Sequence, residues 1–391
     1  MRDLAASLAR WTARGWRRRL RTRTSPPGPE VVLDGRRLLA FCTNDYLGLA
    51  GHPALVRALC EGAQRYGTGS SAAHLLGGHT EAHARLEAAL AEFVGFPRAR
   101  LFATGYAANL ALVSMLAERG EPVYHDRLNH ASLLDGTALA RARVVRYAHA
   151  DADDLARRLD ANPAHAPLVV TDGVFSMDGD LAPLPALARV VREHGGALLV
   201  DDAHGLGVLG PQGRGSLAQA GVGPGEVQAL VGTLGKAFGT AGAFVAGDET
   251  LVDGLVHFGR PWIYSTAPPP ALAHATLQAL ALVRAGEEAR RRLFERVHQF
   301  RRGARELGLP LAPSETPIQP LLVGDAQRAQ ALSAALLEAG IWVPAIRPPT
   351  VPEGTARLRI TLSAAHTREQ VDRLLEALAR AWAAHPAPEE A

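Results

Sequence analysis

Short apolar runs alternate with amphipathic stretches over the first half of the chain, beginning near Arg37. In the amphipathic stretches apolar residues recur at helical spacing, as Leu110, Val113 and Leu116 do, whereas the apolar runs have the β-branched residues of buried strands. This alternation predicts an α/β fold with a mainly parallel sheet that helices cover on both faces. Because such sheets place their sites beyond the carboxyl ends of the strands, the residues just after each apolar run are candidates for chemistry.

The length of 391 residues allows two or three domains, or one large α/β unit with an appendage. An arginine-rich segment precedes the alternating region. A long helical region from Ala271 to about Leu307 follows it, and the last helix opens with the capping box Thr367–Gln370. We therefore predict a helical segment over 1–40, a large cofactor-binding domain over 41–285 and a smaller C-terminal α+β domain over 286–391.

The N-terminal segment carries most of the excess basic charge. Residues 1–30 contain eight arginines and two acidic residues, a net charge of +6, whereas the whole chain carries +3. A nucleic-acid-binding protein is expected to spread basic charge over a folded face, so this distribution argues against one. Three interpretations stay open: a solvated helix whose Leu4, Leu8 and Trp11 pack on the body, a helix whose arginines face an anionic substrate or partner, and a transit peptide.

Composition also bears on the compartment. No apolar stretch approaches the roughly 18 residues of a membrane span, so no membrane helix is expected. The two cysteines, Cys42 and Cys60, indicate a reducing compartment and no disulfide framework. We therefore expect a cytoplasmic protein that does not associate with membranes.

A glycine motif after a predicted strand raises the question of a dinucleotide site. Gly205, Gly207 and Gly210 match the G-x-G-x-x-G spacing, which requires a helix to begin at that turn so that its N-terminus meets the pyrophosphate. Pro211 and two further glycines follow, which argues against a continuous helix and hence against a nicotinamide or flavin site.

A metal site is not expected either. Several histidines and aspartates follow predicted strands, but the sequence has no i, i+4 histidine pair among them and no cysteine cluster to bring ligands together. These residues are His125, Asp126, His130, Asp201, Asp202 and His204.

Lys236, in VGTLGKAFGTAG, is the only lysine among 42 lysine and arginine residues. The arginine side chain has a pKa above about 12 and cannot act as a neutral nucleophile, whereas a lysine amine can. A chain that uses arginine everywhere else therefore keeps lysine where arginine fails, and Schiff-base formation is the chemistry that separates the two. Gly232, Gly235 and Gly239 would let a bulky planar group approach the backbone here.

A Schiff-base lysine needs an electron sink, and pyridoxal 5′-phosphate (PLP) is the common one. PLP needs a carboxylate at its ring nitrogen, a donor at its phenolic oxygen, and N–H groups at a helix start for its phosphate. Asp201 and His204 follow one predicted strand; since adjacent strand side chains point to opposite faces, only one of Asp201 and Asp202 is expected to face the ring. Gly105 precedes a predicted helix, and Thr233 offers a hydroxyl in the turn that carries the lysine.

Seven motifs resemble those of the α-oxoamine synthases, PLP enzymes of the aspartate aminotransferase fold that condense an amino acid with an acyl thioester. The similarity extends from about Arg17 to the last helix. Within the family, AIRPPTVPEGTARLRIT resembles the biotin-pathway branch, which condenses L-alanine with a pimeloyl thioester of CoA or of a carrier protein and releases carbon dioxide. The seven motifs are NDYLGL, FATGYAAN, DRLNHASLLDG, GVFSMDGD, VDDAHGLGVLGPQGRGS, TLGKAFG and YST.

The resemblance implies roles around the cofactor ring. Lys236 would form the Schiff base, Asp201 would pair with the ring nitrogen, and His204 would bind the phenolic oxygen. Ser176 would lie near that oxygen, and His130 would stack on the ring face.

The resemblance also implies roles at the cofactor phosphate. Gly105 and Tyr106 would give phosphate and wall contacts, and Thr233 a phosphate hydroxyl. Thr266 would reach the phosphate across a dimer interface, which implies a homodimer with shared active sites.

For the substrates, the resemblance implies that Arg359 binds the amino-acid carboxylate, which suits a bidentate donor. Thr350 and an N-terminal arginine, taken as Arg17, would contact the acyl donor, and His130 would also contact substrate. Three other functions stay open: a glycine-using α-oxoamine synthase that forms aminoketobutyrate or aminolevulinate, a catalytically silent partner subunit, and a metal hydrolase.

Overall fold

The computed structural model describes residues 3–162 and 166–387, which pack as two units. Unit 1 combines Met1–Tyr46, Met177–Asp180 and Arg291–Ala391, and unit 2 combines Leu47–Ser176 and Leu181–Arg290. The predicted division into three consecutive stretches stays a prediction, and its outermost ends, 1–2 and 388–391, lie outside the described residues.

Strands and helices alternate along most of the chain. The strands, in chain order, are β1 (Glu30–Leu33), β2 (Arg36–Ala40), β3 (Arg98–Phe102), β4 (Pro122–Asp126), β5 (Arg143–Tyr147), β6 (Leu168–Asp172), β7 (Ala197–Asp201), β8 (Ala229–Thr233), β9 (Ala243–Gly247), β10 (Ile318–Gly324), β11 (Ile341–Trp342), β12 (Ala345–Ile346) and β13 (Ala356–Thr361).

Most of the helices have ten residues or more. In chain order they are α1 (Leu4–Ala13), α2 (Pro53–Tyr66), α3 (Glu81–Val94), α4 (Gly105–Leu116), α5 (Ala131–Ala140), α6 (Ala152–Asp160), α7 (Leu184–Glu193), α8 (Ser216–Ala220), α9 (Glu249–Phe258), α10 (Arg260–Ile263), α11 (Pro270–Arg284), α12 (Glu287–Glu306), α13 (Ala326–Glu338) and α14 (Arg368–Ala384). No helix within the described ranges is both long and apolar enough to cross a bilayer.

Unit 2 contains a seven-stranded sheet with the order β3-β9-β8-β7-β6-β4-β5. Neighbouring strands run parallel except where β9 pairs antiparallel with β3 and β8. Every residue of β4, β6 and β9 is buried, as expected for strands covered on both faces. The predicted α/β fold with a mainly parallel sheet is confirmed.

The core of unit 2 forms where α4 packs on this sheet. Ala108, Ala111 and Leu112 of α4 are fully buried with Val170 and Val231 of the sheet. Because α4 begins directly after β3, this packing fixes its N-terminal end near the carboxyl ends of the neighbouring strands.

Unit 1 contains two three-stranded sheets, with the orders β1-β2-β11 and β10-β13-β12. The stretch IWVPAI is divided between them, since β11 pairs with β2 and β12 pairs with β13. The division falls at Pro344, which has no N–H to give to a ladder; its carbonyl accepts from Arg359 N at 3.2 Å.

Two further predictions about helices differ from the structure. The single helical region from Ala271 ends in α11 at Arg284, and α12 begins at Glu287 after a break that includes Gly286. The interpretation of the N-terminal helix in which Leu4 and Leu8 pack on the body is wrong, because these two residues are 66% and 50% exposed. The capping box at Thr367 and Gln370 is confirmed.

Candidate active site

Polar side chains collect where three neighbouring parallel strands of unit 2 end. Asp172 closes β6, Asp201 closes β7 directly beside it in the register, and Thr233 closes β8. His204 and Lys236 follow in the turns after β7 and β8. This edge is where a parallel sheet is expected to hold its site, and most of the residues predicted for the cofactor lie along it.

Lys236 lies in a tight turn after β8, and its side chain is half-buried. Its Nζ lies 2.9 Å from Nε2 of His204. The turn is closed by Gly239, whose N–H donates to the carbonyl of Lys236 at 2.9 Å. Gly239 has φ +68°, and a Cβ there would lie 2.5 Å from the backbone N of Ala50, so only glycine fits this close approach.

The two adjacent aspartates after β7 face opposite directions, as the strand geometry predicted. Asp201 accepts hydrogen bonds from Asn109 Nδ2 on α4 at 2.6 Å and from the backbone N of Ala203 at 3.0 Å. Asp202 instead accepts from the backbone N of Ser216 at 2.7 Å. Asp201 is therefore the aspartate on the side of α4, with its carboxylate held by two neutral donors.

The glycine motif after β7 encloses the second aspartate and begins no helix of dinucleotide-binding type. A Cβ at Gly205 or at Gly215 would collide with the Asp202 carboxylate. Burial in this glycine loop raises the pKa of Asp202 to about 7. Of the motif glycines, Gly205 thus packs against this buried carboxyl group, Gly207 packs against Ala237, and Gly210 packs against the backbone of Gly215.

His130 caps the N-terminus of α5, and its side chain reaches the same edge of the sheet. Its backbone N donates to Asp172 Oδ2 at 2.8 Å, and its Nδ1 lies 2.7 Å from Ser132 Oγ. Asn109 Nδ2 also donates to Ser132 Oγ, at 2.8 Å. Burial and the neighbouring Asp201 carboxylate raise the pKa of Asp172 well above its usual range.

Asn109, Ser132 and Asp172 were not predicted as site residues. Asn109 lies inside FATGYAAN and Asp172 ends a predicted strand, so their positions in the sequence could have identified both as site residues. Ser132 lies inside DRLNHASLLDG, but its role depends on how α4 packs on α5, which the sequence does not indicate.

The residues predicted for the phosphate lie around the start of α4. Gly105 is the first residue of α4, and Thr104 caps it by accepting from the backbone N of Ala107 at 3.1 Å. Tyr106 projects from the same turn and donates its hydroxyl proton to Asp135. Thr233 Oγ1 donates to the carbonyl of Gly242 at 3.2 Å.

Ser176 and Thr266 also belong to unit 2. Ser176 is half-buried in the segment after β6. Thr266 is exposed and forms a β-bridge with Ala73, next to the hydrogen bond from the backbone N of Ala267 to the carbonyl of Ala72.

The predicted substrate residues belong to unit 1. The Arg359 guanidinium is buried in β13 and donates to Asn44 Oδ1 from two nitrogens, each at 3.3 Å. Thr350 Oγ1 accepts from Arg18 at 3.2 Å. Arg17, the arginine predicted for the acyl donor, accepts through its backbone carbonyl from Arg347 at 3.0 Å. The arginine that approaches Thr350 is thus Arg18, one residue beyond the predicted position.

No cluster of three or more histidine, cysteine, aspartate or glutamate side chains suited to a metal ion occurs within residues 3–162 and 166–387. His125 is directed into the core, where its Nε2 lies 2.9 Å from Thr137 Oγ1, and burial lowers its pKa to about 4.

The chain is similar to known proteins over nearly its whole length. The sequence matches the family Aminotransferase class I and II over residues 36–378. It is 58% identical over 384 residues to the 8-amino-7-oxononanoate synthase of Stutzerimonas stutzeri (strain A1501), covering 98% of each chain.

Solved structures share the fold. A variant of serine palmitoyltransferase from S. paucimobilis, with a bound PLP–myriocin aldimine, superposes with a TM-score of 0.92 at 32% identity, covering 98% of this chain and 99% of that one. An 8-amino-7-oxononanoate synthase from Francisella tularensis superposes with a TM-score of 0.77 at 32% identity, covering 88% of this chain and 97% of that one. The predicted family resemblance is confirmed. The chain belongs to the class I and II aminotransferase family and, within it, to the group of the 8-amino-7-oxononanoate synthases.

Proposed function

We propose that this chain is a PLP-dependent acyltransferase that condenses L-alanine with a pimeloyl thioester. The products are 8-amino-7-oxononanoate, carbon dioxide and the free thiol, a step of biotin biosynthesis. The observation that carries the proposal is the position of the only lysine, 2.9 Å from His204 and at the strand edge that also presents Asp201. The names and high identity of the relatives support the choice of substrates.

The residues at this edge fit PLP by the chemistry of their donors. Lys236 supplies a primary amine for the aldehyde, and Asp201 a buried carboxylate for the ring nitrogen. His204 and Ser176 are assigned to the phenolic oxygen, and His130 to the ring face. The phosphate is assigned to the start of α4, at Gly105 and Tyr106, and to the hydroxyl of Thr233. The hydroxyl of Thr266 is assigned to the phosphate bound by a second copy of the chain.

When bound, PLP supplies an electron sink that stabilises negative charge on the amino-acid substrate. Lys236 then acts as a general base that takes the proton from the α-carbon of alanine and holds it on Nζ. His204, hydrogen-bonded to that Nζ, orients the amine. Asp201 keeps a fixed negative charge at the ring nitrogen, because Asn109 and the backbone N of Ala203 hold its carboxylate in one orientation.

Binding of the substrates is assigned to unit 1. Arg359 is assigned to the carboxylate of alanine, for which its planar guanidinium provides two parallel donors, already oriented by Asn44. Thr350 and the arginines beside it are assigned to the acyl donor. A cavity of about 400 Å³ there is lined by Thr350, Arg18 and Arg347 among others, which suits the phosphates of CoA or of a carrier-protein arm.

We also propose that the protein works as a homodimer with shared active sites. Thr266, assigned to the phosphate of the partner, is exposed. Large apolar side chains before it and near its bridge partner Ala73 are exposed as well, with Tyr264 at 72% and Leu76 at 79%. A patch of this kind is typical of an interface with another protein surface. The cytoplasmic location stays a prediction.

The direct test is the exchange of the α-proton of L-alanine in deuterated water, followed by thiol release on addition of pimeloyl-CoA. Alanine should exchange faster than glycine, the substrate of the alternative α-oxoamine synthases. Serine belongs in the same comparison, because the structural neighbours include serine palmitoyltransferases. Faster exchange of glycine or serine would overturn the assignment to alanine. Absence of any exchange would indicate a silent partner subunit.

A further inference from the structure

We propose that Asn109 and Ser132 are positioning residues that fix the single ring proton of His130 on Nε2. They form a buried relay that connects the carboxylate of Asp201 to the imidazole of His130. The consequence for catalysis rests on the proposed function, whereas the position of the ring proton follows from the hydrogen bonds alone.

The relay consists of three short hydrogen bonds. Asn109 Nδ2 lies 2.6 Å from Asp201 Oδ2 and 2.8 Å from Ser132 Oγ, and Ser132 Oγ lies 2.7 Å from His130 Nδ1. The side chains of Asn109 and Ser132 are at most 1% exposed, so water does not compete for these bonds. A buried polar chain of this kind retains one pattern of donors and acceptors.

The direction of every bond in the relay follows from the carboxylate. An ionised Asp201 can only accept, so the amide nitrogen of Asn109 must face it, and the second amide hydrogen goes to Ser132 Oγ. Ser132 then accepts from Asn109 and has one hydroxyl proton, which it gives to His130 Nδ1. The backbone N of Ser132 also donates to Nδ1, at 3.3 Å. Since two donors point at Nδ1, the proton of the neutral ring is on Nε2.

The close packing of two helices makes the relay geometrically feasible. Asn109 is on α4 and Ser132 is on α5. At Gly136 of α5 a Cβ would lie 2.9 Å from Cβ of Val113 and 3.1 Å from the carbonyl oxygen of Asn109. Because glycine stands there, α5 approaches α4 closely enough for the short side chains of Asn109 and Ser132 to meet.

The groups around His130 have opposing effects on its pKa. Burial of the ring lowers the pKa of His130; the carboxylates of Asp201 and Asp135 oppose this shift, and Lys236 adds to it. Asp172 contacts the backbone N of His130 at 2.8 Å. The relay adds two donors at Nδ1 that the imidazolium would have to displace. His130 therefore presents a neutral ring whose proton is on Nε2.

The test uses the full-length protein with isotope-labelled histidine, both with PLP and after its removal. The Nδ1 resonance of His130, assigned by its loss in His130→Asn, should have the chemical shift of an unprotonated nitrogen. In Ser132→Ala the ring should protonate more easily. Its titration midpoint and the acidic limb of the kcat/KM profile should both rise by about one pH unit, the size expected for one lost hydrogen bond that favours the neutral ring.

The matched control is Ser114→Ala, which removes a hydroxyl of α4 that bonds only to backbone carbonyls. It should leave both midpoints unchanged, whereas Asn109→Ala should move them as Ser132→Ala does. A protonated Nδ1 in the wild-type protein, or equal titration in Ser132→Ala and wild type, would overturn the proposal. If the relay variants do not fold, the wild-type resonance alone decides. Failure of the proposed function would instead appear as absent alanine exchange with an unchanged His130 resonance.

Discussion

Lys236 Nζ and His204 Nε2 lie 2.9 Å apart, although the two residues come from turns after different strands. This separation is within hydrogen-bonding distance, so the imidazole can hold the amine in place. This contact brings the only primary amine among the side chains of the chain to a residue three positions beyond Asp201. The carboxylate, the imidazole and the amine are therefore presented at one edge of the sheet.

Replacement of Asp201 should abolish turnover without unfolding the protein. In Asp201→Asn the amide oxygen can still accept from Asn109, but the hydrogen bond from the backbone N of Ala203 and the negative charge at the ring nitrogen are lost. We expect kcat to fall by about 10²-fold or more, the size seen when a preorganised electrostatic group is removed. Steady-state kinetics with alanine and pimeloyl-CoA check this, with PLP content measured in parallel. Activity within a few-fold of wild type would contradict the assignment.

Protonation of the neighbouring Asp202 should make the free energy of unfolding depend on pH. Its folded-state pKa, raised to about 7 by burial, exceeds the unfolded value. The stability that the protonated carboxyl group of Asp202 contributes is fully present below about pH 4 and is lost as the pH rises through about 7. The resulting decrease in the free energy of unfolding is on the order of 4 kcal/mol.

The check for Asp202 is thermal or denaturant unfolding of wild type and Asp202→Asn at about pH 5 and about pH 8. The variant has no proton to lose, so its free energy of unfolding should fall less between the two values. An identical decrease in both proteins would show that Asp202 does not titrate in this window.

Gly239→Ala should destabilise the lysine turn. Alanine would be strained at φ +68°, and its Cβ would lie 2.5 Å from the backbone N of Ala50. We expect a loss of about 2 kcal/mol or more in unfolding free energy and a lower fraction of Lys236 joined to PLP. Gly223→Ala is the control, since its Cβ would meet no atom within 4 Å. That variant should stay within about 1 kcal/mol of wild type. Equal stability of the two variants would contradict the close approach.

Arg359→Lys should weaken binding of alanine. Lysine retains the charge but lacks the planar pair of donors, so KM for alanine should rise roughly tenfold. Arg357→Lys is the control on the same strand, because Arg357 is already paired with Asp178 at 2.5 Å. If both variants change KM for alanine equally, Arg359 is not the carboxylate contact.

Much of the fold and part of the site follow from local pattern. The strands of unit 2 are short and bounded by helical stretches, so their ends were predictable, and with them the positions of Asp201, His204 and Thr233. Lys236 was identified because no other lysine competes with it. The opposite directions of Asp201 and Asp202 required only the alternation of a strand.

The remaining features depend on contacts distant in sequence. Ser132 has a role only because Gly136 brings α5 against α4, and no local signal encodes that approach. IWVPAI has one apolar pattern but pairs with two sheets. Arg17 and Arg18 are equivalent in the sequence, and only the pairing with Thr350 distinguishes them.

The central claim is that an aldehyde cofactor is joined to the amine at position 236 in the resting protein. Borohydride reduction of the purified protein, followed by digestion and mass mapping, should give a pyridoxyl group on the peptide that contains Lys236. The Lys236→Arg variant, treated identically, should give none and should not turn over. Reduction that leaves Lys236 unmodified in protein that still turns over alanine would contradict the account.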